Sequence, residues 1–230
     1  MRFTFVTLFP QLIEGYFEDS ILKRAIANDY LSVDYLDPRE FSTNRHNKVD
    51  DSPAGGGAGM VMTPQPLYDC LTQLRVASPD VHIIFLTPVA KSFVQNDAKR
   101  LAKKEHVAFV SGRYEGIDER IIETFADEVY SIGDYILTGG ELPSLVMCDA
   151  ISRMVDGVLG NSDSLETESY ETFLLEAPSF SKPANYKDMC IPSEFLKGNH
   201  SKICELKLDL SQSKTKYFRP DDLKRHKLRT

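Results

Sequence analysis

Three glycine-rich segments hold the residues best suited to chemistry: Ala54–Met60 (AGGGAGM), Gly112–Arg120 (GRYEGIDER) and Ser131–Leu142 (SIGDYILTGGEL). In the first, glycine fills four of the five positions 55–59. Ordering such a loop is entropically costly, so its backbone must need left-handed conformations, close approach to another group, or hinge motion. Arg45, His46, Asp50 and Asp51 lie just upstream. Exposed amides beside basic side chains suit a phosphate, although a plain structural turn accounts for the same glycines. In the second segment Gly112 and Gly116 bracket Arg113, Tyr114 and Glu115, which offer a guanidinium, a ring and a carboxylate. In the third, Gly133, Gly139 and Gly140 surround the apolar Tyr135, Ile136 and Leu137. Backbone amides with a few apolar side chains suit an adenine ring better than a phosphate chain. Pro88 closes the apolar strand expected alongside.

The elements that must position these loops are legible around them. The apolar runs 3–9, 33–36, 81–86, 107–110 and 128–132 predict short strands, and 17–27, 66–74, 91–103 and 142–158 predict helices. Three of the strands empty directly into Pro88, Gly112 and Gly133. That pattern predicts an α/β fold with a parallel sheet and a site at the carboxyl ends of its strands. Neither GxGxxG after the first strand nor GxxxxGK[ST] is present, so neither a dinucleotide fingerprint nor a P-loop is expected. Residues 39–60 show no periodicity, and a loop that long inside a domain is usually functional. Residues 161–171 are polar and aperiodic and are expected to be a flexible linker. It would join a domain at 1–160 to a small, mainly helical one at 172–230, with short helices at 203–210 and 223–228.

Composition narrows the function. The chain has 230 residues, 42% hydrophobic and 27% charged, a globular balance. Its apolar runs are too short to cross a bilayer, and the N-terminal stretch lacks a secretory pattern, so a cytoplasmic location and no membrane partner are expected. Cys70, Cys148, Cys190 and Cys204 form no CxxC pair, and the five histidines are scattered. No protein-made metal site is expected. The net charge of -7 is unevenly spread: residues 182–230 hold 12 Lys/Arg against 6 Asp/Glu. A basic end on an acidic body fits a polyanionic partner, and a solvated tail would look the same.

Taken together, LFP (Leu8–Pro10), RHxxVDDxPxGGGxGM (Arg45–Met60), GRYEGIDER, SIGDYxLxGGELP (Ser131–Pro143), VLG (Val158–Gly160) and GNH (Gly198–His200) resemble the bacterial tRNA (guanine-N1)-methyltransferases, the TrmD family of the SPOUT class. The resemblance covers the whole chain. It implies methyl transfer from S-adenosylmethionine to N1 of guanosine 37 in tRNA, where guanosine also precedes it at position 36, in support of reading-frame maintenance. It also implies a deep trefoil knot, which general topology rules would exclude, and a homodimer with active sites shared between subunits. The tRNA would be engaged at its anticodon stem-loop, and Mg2+ would be needed for activity.

By the same resemblance, Pro88, Gly112, Tyr114, Glu115, Ile132, Gly133, Asp134, Tyr135, Ile136, Leu137, Gly139 and Gly140 would surround the cofactor. Arg45, Asp50 and Gly59 would hold the tRNA and target base, and Arg153 would be the catalytic arginine. The family's general base is an aspartate eight residues after the glycine of VLG; this chain has Glu168 there, with Glu166 nearby. The carboxylate is one methylene longer, and small changes of reach matter in catalysis. Two other classes remain open at this stage: a silent RNA-binding module that has lost its base, and a nucleotide-binding metabolic enzyme.

Overall fold

A computed structural model describes residues 1–160, 168–171 and 174–221. The chain divides into two compact units, Met1–Gly160 and Asn161–Thr230. The first is built on five parallel strands: β1 (Arg2–Val6), β2 (Ser32–Leu36), β5 (His82–Leu86), β6 (His106–Ser111) and β7 (Glu128–Tyr130). Their order across the sheet is β2-β1-β6-β5-β7. A small antiparallel ribbon, β3 (Asp50–Asp51) with β4 (Val61–Met62), stands apart from it.

The strands send large apolar side chains to both faces. Phe3, Phe5, Ile84, Val107 and Phe109 share one core with residues of α2 (Ser20–Ala27), α4 (Gln95–Leu101) and α6 (Glu141–Ser152). Val6, Ile83, Phe85, Ala108 and Val110 share the other with α3 (Pro64–Ala77) and α5 (Glu119–Phe125). Helices thus cover both faces, which is why the strands read as continuous apolar runs. Burying one such side chain contributes about 1.5–3 kcal/mol. The remaining helix, α1 (Gln11–Glu14), follows β1 and leads through a 3-10 turn to α2.

Register places the site. Leu86 pairs with Ser111 on one side and with Tyr130 on the other. The last residues of β5, β6 and β7 therefore lie side by side, and the three segments that follow them leave the sheet together.

Several local expectations change. The helix predicted over 142–158 spans Glu141–Ser152. Beyond it the amides of Met154, Val155 and Val158 bond three residues back, and Gly157 turns with φ +86 beneath the Tyr30 ring. The aperiodic stretch 39–60 begins within the 3-10 turn Pro38–Phe41 and supplies one strand of the β3–β4 ribbon. Ribbons this short leave almost no alternation to read.

In the second unit the helix predicted over 203–210 runs His200–Phe218, its start capped by the Asn199 side chain, which accepts from the Lys202 amide. A small hairpin (Asn185–Tyr186 with Met189–Cys190) and the single turn Ser193–Leu196 precede it. The helix expected at 223–228 lies outside the described residues.

Candidate functional site

The segments leaving β5, β6 and β7 enclose a cavity of about 430 Å³, a size typical of small-molecule sites. Pro88, Gly112, Tyr114, Glu115, Ile132, Gly133, Tyr135, Ile136, Leu137, Gly139 and Gly140 line it, and Asp134 does not. Arg113, Tyr130 and Thr138 also line it, though motif reading had not singled them out as cofactor residues. Backbone bonds tie the segments together. The Thr87 amide donates to the Tyr130 carbonyl (3.0 Å), the Ser131 amide to that of Lys91 (2.9 Å) and the Phe93 amide to that of Ser131 (2.8 Å). The Gly140 amide donates to the Gly112 carbonyl (2.9 Å), so the third glycine segment returns onto the second. Ser144 Oγ, 2.9 Å from Ser111 Oγ, donates to the Gly140 carbonyl at 2.7 Å. Tyr114 holds φ +59, a strained conformation for a non-glycine residue that survives where its surroundings fix it, often at functional sites.

The first glycine segment abuts this pocket. Gly55, Gly56, Gly57 and Gly59 all have positive φ, which accounts for glycine at each. The Glu115 amide donates to the Met60 carbonyl (2.9 Å). A β-carbon on Gly59 would stand 2.6 Å from Glu115 Oε1, so the Glu115 side chain lies directly across Gly59. Arg45 and Asp50 do not line the cavity. Arg45 is exposed and Asp50 sits half-buried in β3.

Two charged networks flank the pocket. At the sheet edge Glu128 accepts from Arg100 (2.6 and 2.8 Å), Tyr130 Oη (2.7 Å) and His82 (2.7 Å). Burial alone would raise the Glu128 pKa, but these bonds outweigh it and hold the group at about 2. They fix the phenol end of Tyr130, whose residue also lines the cavity. On the other side, buried Glu141 accepts from Thr7 Oγ1 at 2.8 Å and from Arg113 Nε at 3.0 Å.

Arg153 follows α6 as its C-cap, half-buried, its amide donating to the Asp149 carbonyl at 3.1 Å. It does not line the cavity. At helical spacing Leu142, Val146, Asp149 and Arg153 share one face of this helix. Tyr16 Oη donates to Asp149 Oδ2 at 2.5 Å, a bond that raises the phenol to about 12. Leu12, Tyr16, Leu142 and Val146 are exposed there.

Glu168 belongs to the second unit. It opens a turn in which its carbonyl accepts from the Glu171 amide (3.3 Å). The neighbouring chain is tied to the long helix. Arg219 donates to Tyr170 Oη (3.3 Å), and the Leu175 amide to Thr215 Oγ1 (2.8 Å). Glu166 lies outside the described residues. Among the described residues no group of three His, Cys, Asp or Glu is arranged to hold a metal ion. No helix among them is long and apolar enough to cross a membrane.

The family described as "tRNA (Guanine-1)-methyltransferase TrmD" matches residues 1–225. Relatives named tRNA (guanine-N(1)-)-methyltransferase include one from Sulfurimonas denitrificans, 73% identical over 227 residues and covering 99% of this chain and 98% of its own. One from Sulfurovum sp. is 66% identical over 221 residues (96% and 97%), and one from Campylobacter curvus is 58% identical over 221 (96% and 94%).

Proposed function

This chain belongs to the tRNA (guanine-1)-methyltransferase TrmD family, and from that premise we propose that it transfers a methyl group from S-adenosylmethionine to N1 of a tRNA guanine. The target is guanosine 37, preceded by guanosine 36, and the modification supports reading-frame maintenance. The observation that carries this reading is the cavity at the ends of β5, β6 and β7, lined by eleven of the twelve residues expected around the cofactor. Its walls fit that ligand. Backbone amides and carbonyls of the glycine segments can read an adenine edge, and Ile132, Ile136 and Leu137 can pack on its faces.

The cofactor supplies an electrophilic methyl group on a sulfonium. The chain must make guanine N1 nucleophilic, and neutral guanine carries a proton there. Glu168, by its carboxylate, takes that proton as general base. Arg153 stabilises the negative charge that then builds on guanine O6. Arg45, Asp50 and Gly59 serve the substrate side, and Glu115, lying across Gly59, connects it to the cofactor side. Mg2+ is implied by the family resemblance. The described residues offer it no protein cage, and no step above uses it.

The family also implies a trefoil knot, and the return of the loop Ser131–Gly140 from β7 onto Gly112 supports a site built from packed loops at the strand ends. The homodimer is supported by the exposed Leu142 and Val146 of α6 and the exposed Leu12 and Tyr16 of the segment after β1, Tyr16 being bonded to Asp149 of α6. Large apolar side chains exposed together in this way suit an interaction surface. The basic stretch 182–230 holds the anticodon stem-loop, using side chains such as Lys182, Lys187, Lys202 and Lys216 on phosphates, in a cytoplasmic setting.

The test is incubation of the chain with S-adenosylmethionine and tRNA carrying guanosines 36 and 37, followed by location of the methyl group. N1-methylguanosine at position 37 is expected. Tight tRNA binding without transfer would leave a silent binding module. Displacement of bound ligand by ATP or NAD, but not by S-adenosylmethionine, would favour a metabolic enzyme.

A further inference from the structure

We propose that Glu141 is a positioning residue for cofactor binding, acting through Arg113 to fix the gap between the two loops that line the cavity after β6 and β7. The proposal rests on reading that cavity as the S-adenosylmethionine site.

Glu141 is the first residue of α6 and only 3% exposed. A carboxylate so buried needs compensation. The helix N-terminus supplies part of it, and Thr7 Oγ1 donates to Oε1 at 2.8 Å. Arg113 supplies the rest. Its Nε donates to Oε1 at 3.0 Å and lies 2.9 Å from Oε2, outside hydrogen-bonding geometry for that second oxygen.

Arg113 is held in other directions as well. Its Nη1 donates to the Thr138 carbonyl at 3.3 Å, and its guanidinium carbon stands 4.5 Å from the centre of the Phe9 ring. One guanidinium therefore joins the loop after β6, the end of the loop after β7 and the segment after β1. Gly139 leaves room for this crossing, since a β-carbon there would stand 2.6 Å from both Arg113 Nε and Glu141 Oε2. Arg113, Thr138 and Gly139 line the cavity and Glu141 does not. Glu141 thus reaches the ligand through Arg113 and the spacing it sets.

The test measures S-adenosylmethionine affinity by calorimetry, and KM and kcat with tRNA, for the full chain and for Glu141→Gln, Arg113→Ala and their combination. Glu141→Gln should raise the cofactor Kd and KM about 10-fold while kcat stays within about twofold, the pattern of lost uniform binding. It should add little to Arg113→Ala, because both remove one contact. Unchanged cofactor affinity in Glu141→Gln would overturn the proposal. So would an effect in the Arg113→Ala background as large as in wild type, since Glu141 would then act by another route. If Glu141→Gln does not fold, Arg113→Lys takes its place. That variant keeps the charge but loses the fork, so it should weaken the cofactor similarly, and wild-type affinity there counts against the proposal. A wild-type chain that fails to bind S-adenosylmethionine overturns the reading of the cavity as well.

Discussion

A β-carbon on Gly140 would stand 2.7 Å from the Cα of Ser111 and 2.8 Å from the amide nitrogen of Gly112. Both are backbone atoms, so neither can swing aside. Gly140→Ala must push the third glycine segment off the second and open the cavity proposed to hold the cofactor. We expect S-adenosylmethionine affinity to fall by roughly 100-fold, with a stability loss of about 1–3 kcal/mol from overpacking. Calorimetry and thermal denaturation read the two effects, and near-wild-type affinity would show that the approach is not needed.

Arg153 lies outside the cavity lining at the end of α6. If it stabilises charge on the guanine, Arg153→Ala should lower kcat by about 10²–10³ and leave cofactor affinity within about twofold. Equal losses in rate and in cofactor binding would make it a binding residue instead.

The exposed apolar face along α6 predicts its own disruption. Val146→Asp, one helical turn from the exposed Leu142 on α6, places a charge where a second copy would bury it. Sedimentation should show a shift from dimer to monomer with loss of transfer activity, because a desolvated, unpaired charge costs several kcal/mol. A variant that stays dimeric and active would place the interface elsewhere.

Glu128 gives the first unit an acid-side dependence. Its pKa falls from 4.5 in the ordinary carboxyl to about 2 here. A depressed folded pKa means its stabilisation is complete above about pH 4.5 and is lost as pH falls toward about 2. Arg100 is half-exposed, so solvent screens the pair, and a contribution of about 2 kcal/mol is expected. Glu128→Gln should therefore destabilise the chain by about that amount at neutral pH and by little near pH 2. Equal destabilisation at both ends of the range would mean packing, not charge, is what the substitution disturbs.

The sheet and the pocket were legible for a physical reason. β5 and β6 are buried on both faces, so their apolar runs stood out, and β5, β6 and β7 each lead into a proline or glycine segment whose composition marks a backbone-rich site. Lining by Pro88, Gly112 and Gly133 follows from that punctuation alone. The contact of Gly59 with Glu115 was not legible, because a long-range approach between two loops leaves no periodicity. Nor was the Glu141–Arg113 pair, since a glutamate in the first turn of a helix reads as a capping charge until Thr7, 134 residues away, is seen to bond it. The second unit carried the weakest signal. Its long helix is polar on most faces, and its start depended on a single capping asparagine, Asn199.

In the proposed mechanism binding and chemistry are separate: the glycine segments hold the cofactor, and Glu168 takes the N1 proton. Its most direct test is the single-turnover rate of methyl transfer by Glu168→Ala, measured beside the variant's affinity for S-adenosylmethionine. The rate should fall by about 10²–10⁴ while affinity stays within about twofold of wild type. A variant that keeps most of its rate, or that loses rate and affinity together, would contradict the assignment of the proton to Glu168.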